Sequence, residues 1–245
     1  PFNFDEVERI VSSELGVRLS KAFADFEPTP IAAASLAQVH RACMRDGRAV
    51  VVKVQRPNIR ELIVDDLDAL GEIAQFLDSH TELGRRYEFE NMLSDLRKSL
   101  LRELDFTVEA QNLVTIGQNL EEFDDIVIPE PIDDYTTTRV LTMEYIAGKK
   151  ITTLSPLRLL EIDGPGLADD LFRGYLKQML VDGLFHGDPH PGNVFLTDDD
   201  RIALLDLGMV GRLTRTFQDN LLRLLLAISE GRGELAAEAA IKMGE

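Results

Sequence analysis

The alternation of apolar and polar positions opens on a helix. In "FDEVERIVSSELG" the apolar residues recur three and four apart, and Gly16 follows as a stop. The next segment, "LSKAFADF", predicts a second short helix ending near Pro28 and Pro30. In "IAAASLAQVHRACMRDGRAVVVKVQ" the period changes: strand to about Met44, a turn at "RDG", then the Val-rich strand "RAVVVKVQ". Helical spacing returns after "RPN", from Ile59 to His80 and again from 89 to 122. "IVIPEPIDDYTTTRVLTMEYIAG" is β-rich and cut by proline and Asp-Asp turns. "KITTL" and "DGPG" read as connectors, 167 to 184 as helix, and "NVFLTDDDRIALLDLG" as two short strands around an acidic turn. Residues 216 to 243 read as helix broken near "EGRG", and no internal repeat is found.

This order predicts an α+β chain in two parts. Residues 1–146 combine strands with helices; residues 147–245 are mostly helical with one small hairpin. Ligands often occupy the crevice between such parts.

Composition narrows the function classes. The chain has 245 residues, 44% apolar and 28% charged, enough for two lobes with cores of their own. The net charge of −17 argues against nucleic acid as a partner. It also means that any phosphate site must assemble local positive charge, with a divalent cation as the natural help. A single cysteine, Cys43, excludes an internal disulfide and fits a reducing, cytoplasmic compartment. Its place in a strand marks it as a packing residue rather than a nucleophile. The apolar stretch "LLRLLLAIS", interrupted by Arg223, is too short to cross a bilayer. The opening "PFNFDEVERI", with no Met and no signal pattern, reads as the interior of a longer chain.

Candidate chemistry concentrates in "HGDPHPGN", residues 186–193. One reading is a zinc site, since His186, Asp188 and His190 alternate. Against it, Pro189 and Pro191 break a regular strand, and the chain has only four histidines and no second His/Cys cluster. The other reading is phosphoryl transfer. Protein kinases place a proton-accepting Asp five positions before a metal-binding Asn, the relation of Asp188 to Asn193. A second metal-binding Asp should follow a short hairpin, and "LLDLG" supplies Asp206, with Leu207 where kinases carry Phe. Two oxygen ligands plus phosphates and water suit magnesium.

That reading requires an upstream lysine on a strand. Lys53 lies in the most β-prone run, "AVVVKVQ", with Val52 and Val54 turned to the opposite face. It also requires a helical carboxylate to pair with the lysine, and "LLRELDFTVEAQNL" offers Glu103, Asp105 and Glu109; helical spacing sets the last two on one face. In place of a glycine-rich phosphate loop stands "IAAASLAQVH". Alanine disfavours positive φ, so this loop should be stiffer.

Taken together, "AAASLAQVH", "VVVKVQRP", "RELDFTVEAQN", "HGDPHPGN" and "LLDLG" resemble the blocks of the UbiB/AarF-like atypical kinases, associated with ubiquinone and other prenyl-lipid pathways. The resemblance covers almost the whole chain. It implies a two-lobed, protein-kinase-like α+β fold with extra helices on the N-lobe, binding ATP or ADP with Mg²⁺ between the lobes. By position, Lys53 would meet nucleotide phosphates with Glu109 as its ion-pair partner, and Glu103 and Asp105 would form the E-x-D pair near the nucleotide. Asp188 would be catalytic, and Asn193 and Asp206 would hold magnesium. Ala32, Ala33, Ala34 and Ser35 would line the phosphate loop. In "TMEYIAG", backbone groups of Glu144 to Ile146 would meet adenine, with Met143 as gatekeeper. The extra helices would disfavour protein substrates. The family's K-x-G-Q helix and its membrane-associating C-terminal part are not found here. Quinone-pathway lipids and a membrane surface are therefore expected as partners of the longer chain, peripheral to a membrane.

Three functions follow: an ATP-dependent kinase or ATPase acting on lipid intermediates, a small-molecule phosphotransferase of the aminoglycoside or choline kinase type, and a nucleotide-sensing scaffold without turnover.

Overall fold

The structure, a computed structural model, describes residues 1–244. The chain divides into two compact units. The first comprises Pro1–Gln111 and Pro131–Tyr145; the second comprises Asn112–Glu130 and the chain from Ile146 onward. Residues 112–130 thus belong with the second unit, which a single cut after residue 146 does not capture.

Unit one begins with α1 (Phe4–Leu15), whose first turn is capped by the Asn3 side chain and which stops at Gly16 with φ +68°. The helix expected over "LSKAFADF" is a single turn, α2 (Leu19–Ala22), because Phe23–Phe26 leaves it as strand β1. There it pairs antiparallel with β3 (Ala37–Met44), onto which β2 (Ala32–Ala33) also folds. The predicted "RDG" turn leads to β4 (Ala49–Gln55), and Gly47 takes φ +92° there. Next come α3 (Ile59–His80), α4 (Glu82–Tyr87), α5 (Phe89–Glu103) and α6 (Phe106–Asn119). The helix read from 89 to 122 is therefore two helices, broken at Leu104–Asp105. Beyond α6 lie β5 (Ile126–Val127) and β6 (Val140–Glu144), the latter closing the unit-one sheet in the order β1-β3-β4-β6.

Register decides which side chains meet. Val52 sits opposite His40 and Thr142, and Lys53 opposite Val39 and Leu141. Alternate residues face opposite sides. One face, with Val50, Val52, Val54 and Val140, packs into a core with Val7, Ile10, Val11, Leu19 and Phe23. Lys53 belongs to the other face.

Unit two holds β7 (Gly148–Lys150), α7 (Pro156–Glu161) and α8 (Gly164–Lys177). "DGPG" is the capped start of α8 rather than a connector, with Asp163 accepting from the Gly166 amide at 3.1 Å. After α8 a π-helical turn, Gln178–Asp182, ends at Gly183 with φ +68°. It delivers β8 (Leu184–His186), followed by the hairpin β9 (Val194–Thr197) and β10 (Ile202–Leu204), then β11 (Val210–Arg212), α9 (Arg215–Ser229) and α10 (Gly233–Met243). The sheet order is β5-β10-β9-β7, and β8 pairs with β11. A side chain at Gly211 would collide with the Phe185 ring, so the β8–β11 ribbon closes only around glycine there. Among the described residues no helix is long and apolar enough to cross a membrane.

Candidate functional site

In unit one, Lys53 is joined to Glu109. The ammonium donates to both carboxylate oxygens, at 2.9 and 2.8 Å. Strand β4 aims the lysine away from the valine core, and α6 supplies the glutamate from its first turn. The Lys53 side chain is 16% exposed and that of Glu109 is 4% exposed. The lysine ammonium also lies 5.3 Å from the Phe106 ring centre. Glu109, among the three acids open to the sequence, is thus paired with the lysine.

Asp105 has a structural task that sequence periodicity hides. It lies between α5 and α6, not on a helix with Glu109. Its Oδ1 accepts from the Thr107 amide at 3.0 Å and the Thr107 hydroxyl at 2.6 Å, capping α6. The side-chain amide of Gln55, on β4, donates to the Leu104 carbonyl at 2.7 Å and pins the break. Glu103 is the last residue of α5.

Ala32 and Ala33 form β2, and Ala34 and Ser35 continue into an exposed turn. None of the four takes positive φ, so alanine sits there without strain. The turn is closed by the Ala34 amide to the Ala37 carbonyl at 2.8 Å. Arg56 holds it from outside, donating to the Ser35 carbonyl at 2.8 Å and the Ala34 carbonyl at 3.3 Å. Sequence reading missed Arg56; its place directly after the Lys53 strand is the only signal for it. In the hinge segment, Met143 is buried on β6, Glu144 ends that strand with an exposed side chain, and Ile146 begins the return into unit two.

In unit two, "HGDPHPGN" runs from the end of β8 to the start of β9. Asp188 is exposed in the connecting loop. Asn193 and Asp206 flank the hairpin, whose last pair is Val194 with Leu204. The Leu205 amide donates to the Asn193 carbonyl at 3.2 Å, so both residues sit at the same end of the hairpin. Asp206 Oδ1 also accepts from the Gly208 amide at 3.1 Å. An amide oxygen and a carboxylate are hard donors that fit magnesium.

Beneath this turn lies His186, 1% exposed. Its Nε2 is 2.9 Å from the Asp206 carbonyl, which only accepts, so Nε2 carries the proton. Nδ1 then accepts from the Tyr175 hydroxyl at 3.3 Å, and the His186 amide donates to Gln178 Oε1 at 2.9 Å. Burial lowers the His186 pKa, opposed by the Asp206 and Asp188 carboxylates. Burial, with Asp188 adding to it, pushes the Tyr175 hydroxyl up to about 12. His186 is therefore a buried support of the turn. His190 spends its Nδ1 on the Gly192 amide at 2.9 Å. Among the described residues no group of three or more His, Cys, Asp or Glu is placed to hold a metal ion.

Comparison with known proteins agrees with this fold. Residues 1–239 match the ABC1 atypical kinase-like domain. The chain is 36% identical over 248 residues to a protein described as "Probable protein kinase UbiB" from Cellvibrio japonicus, covering all of this chain and 45% of that one. It is 35% identical to the chloroplast protein "ACTIVITY OF BC1 COMPLEX KINASE 8" of Arabidopsis thaliana, covering all of this chain and 32% of that one. The solved complex of Rv3197 with erythromycin, from Mycobacterium tuberculosis, superposes with a TM-score of 0.76 at 27% identity, over 98% of this chain and 60% of that one. The fold is thus the α+β, kinase-like one. The chain spans less than half the length of these two curated relatives.

Proposed function

The chain belongs to the UbiB/ABC1-like atypical kinase family, and from that premise we propose that it binds an adenine nucleotide with Mg²⁺ and acts as an atypical kinase or ATPase. The observation that carries this reading is the bidentate, largely buried Lys53–Glu109 pair. A lysine so held presents a fixed positive charge for the α- and β-phosphates in a chain whose net charge is −17. Asn193 and Asp206 would hold the magnesium, which, when bound, neutralises phosphate charge. Asp188, exposed in its loop, would orient an acceptor hydroxyl or water and take its proton. The turn at Ala32, Ala33, Ala34 and Ser35 would lie against the phosphates, Glu103 and Asp105 near the nucleotide, and the backbone of Glu144 and Ile146 against adenine.

For the longer protein we propose a role in ubiquinone or related prenyl-lipid synthesis, at a membrane surface. Small-molecule phosphotransfer is the second reading; it gains support from Rv3197 having been solved with erythromycin. The experiment is phosphate release from Mg·ATP, alone, with prenyl-lipid vesicles, and with aminoglycoside, choline or macrolide. Release raised by lipid supports the first reading. Release raised only by a small-molecule acceptor supports the second, and nucleotide binding without release under any condition means a sensing scaffold.

A further inference from the structure

The turn that carries Asp206 is held by two consecutive backbone carbonyls. His186 donates to the first, that of Asp206. The second, that of Leu207, accepts from the side-chain amide of Asn112 at 2.9 Å. Asn112 lies on α6, 95 positions earlier in the chain, and belongs to unit two with Leu207. It is 3% exposed and Leu207 is fully buried, so the bond is made out of reach of water. A buried asparagine is costly unless it is satisfied, and this one is spent on the peptide that immediately follows the proposed metal ligand. With both carbonyls anchored and the Gly208 amide on Oδ1, the Asp206 carboxylate is tied to the turn that follows it.

We propose that Asn112 is a positioning residue for the magnesium site, acting through the Leu207 carbonyl to fix the orientation of Asp206. This inference rests on the reading of Asp206 as a metal ligand. Groups that orient metal ligands typically alter metal affinity ten- to a hundredfold when lost. Asparagine at this place reads from sequence as an ordinary polar helix position, which is why spacing does not reveal it.

The test measures Mg²⁺ or Mn²⁺ binding at saturating ADP, by thermal shift and by Mn²⁺ paramagnetic resonance, in wild type, Asn112→Asp, Asn112→Leu and Asp206→Asn. The expected result is a metal midpoint raised about tenfold or more in both Asn112 variants, with ADP affinity in EDTA changed less than twofold. A general loss of structure would weaken both together. Wild-type metal midpoints in the Asn112 variants, with the metal response abolished in Asp206→Asn, overturn the inference alone. An unchanged response in Asp206→Asn as well overturns the magnesium reading beneath it. Should neither Asn112 variant fold, the wild-type protein labelled with ¹⁵N-asparagine decides. Its Asn112 side-chain amide signal should shift on adding Mg²⁺ to the ADP complex, and no shift overturns the inference.

Discussion

Lys53 and Glu109 meet through both carboxylate oxygens, and the glutamate is the more deeply buried partner. Removing one member of a buried pair costs about 3 kcal/mol or more, because the remaining charge loses its compensation. Lys53→Met acts on the carboxylate that is 4% exposed, whereas Glu109→Gln acts on the ammonium that is 16% exposed. Lys53→Met should therefore be the more destabilising in urea denaturation. Equal costs near zero would contradict the burial argument.

Asp105 separates structural from functional roles. Asp105→Ala removes the cap of α6 and should destabilise by about 1 kcal/mol, while Asp105→Asn keeps the acceptor and should cost far less. If Asp105 also serves the nucleotide by charge, Asp105→Asn should weaken Mg·ADP binding at near-normal stability. Calorimetric titration of the stable variant reads this directly.

The alanine turn predicts a nucleotide preference. With no residue at positive φ and Arg56 on two of its carbonyls, the turn is held in one shape. Ala33→Gly frees the backbone, and Arg56→Ala removes the outer clamp. Both should change the ratio of ATP to ADP affinity several-fold, measured by competition with a fluorescent nucleotide. An unchanged ratio in both variants removes the loop from the account.

Acid should loosen unit one through His40. Its Nδ1 donates to the Glu27 carbonyl at 2.8 Å, and its Nε2 faces the side-chain amide of Gln38 at 3.0 Å. That amide is oriented by its oxygen accepting from the Phe2 amide at 3.0 Å. The remaining surroundings include the Phe4 and Phe26 rings. Burial lowers the His40 pKa, with the Glu27 carbonyl opposing. The folded state thus binds its proton at lower pH than the unfolded chain. Full stability is present above the unfolded value of about 6.5 and declines as pH falls through the window below it. Denaturation at pH 7.5 and 5.5 should show this decline in wild type and a smaller one in His40→Gln.

Much of this was legible from local signals. Gly16 and Gly47 punctuate elements that the structure ends where they stand, and Ile59–His80 is one helix because its apolar period is unbroken. The break at Leu104–Asp105 carries no Gly or Pro. It is made by distant partners, the Gln55 side chain and the Thr138 carbonyl, which bonds the Phe106 amide at 3.1 Å. "LSKAFADF" has helical spacing, yet pairing with β3 claims its second half. Within the site, Lys53 was visible because a lysine in a valine strand is anomalous. Asn112, Tyr175 and Arg56 were not, because polar residues on helices or after strands are ordinary until their partners are known.

The proposed magnesium site depends on Asp206. The direct measurement is the nucleotide-induced thermal shift across a Mg²⁺ titration, in wild type and Asp206→Asn. We expect Mg²⁺ to enlarge the wild-type shift and to add little in the variant, whose shift with nucleotide in EDTA stays near that of wild type. A variant that responds to Mg²⁺ as the wild type does would contradict the account.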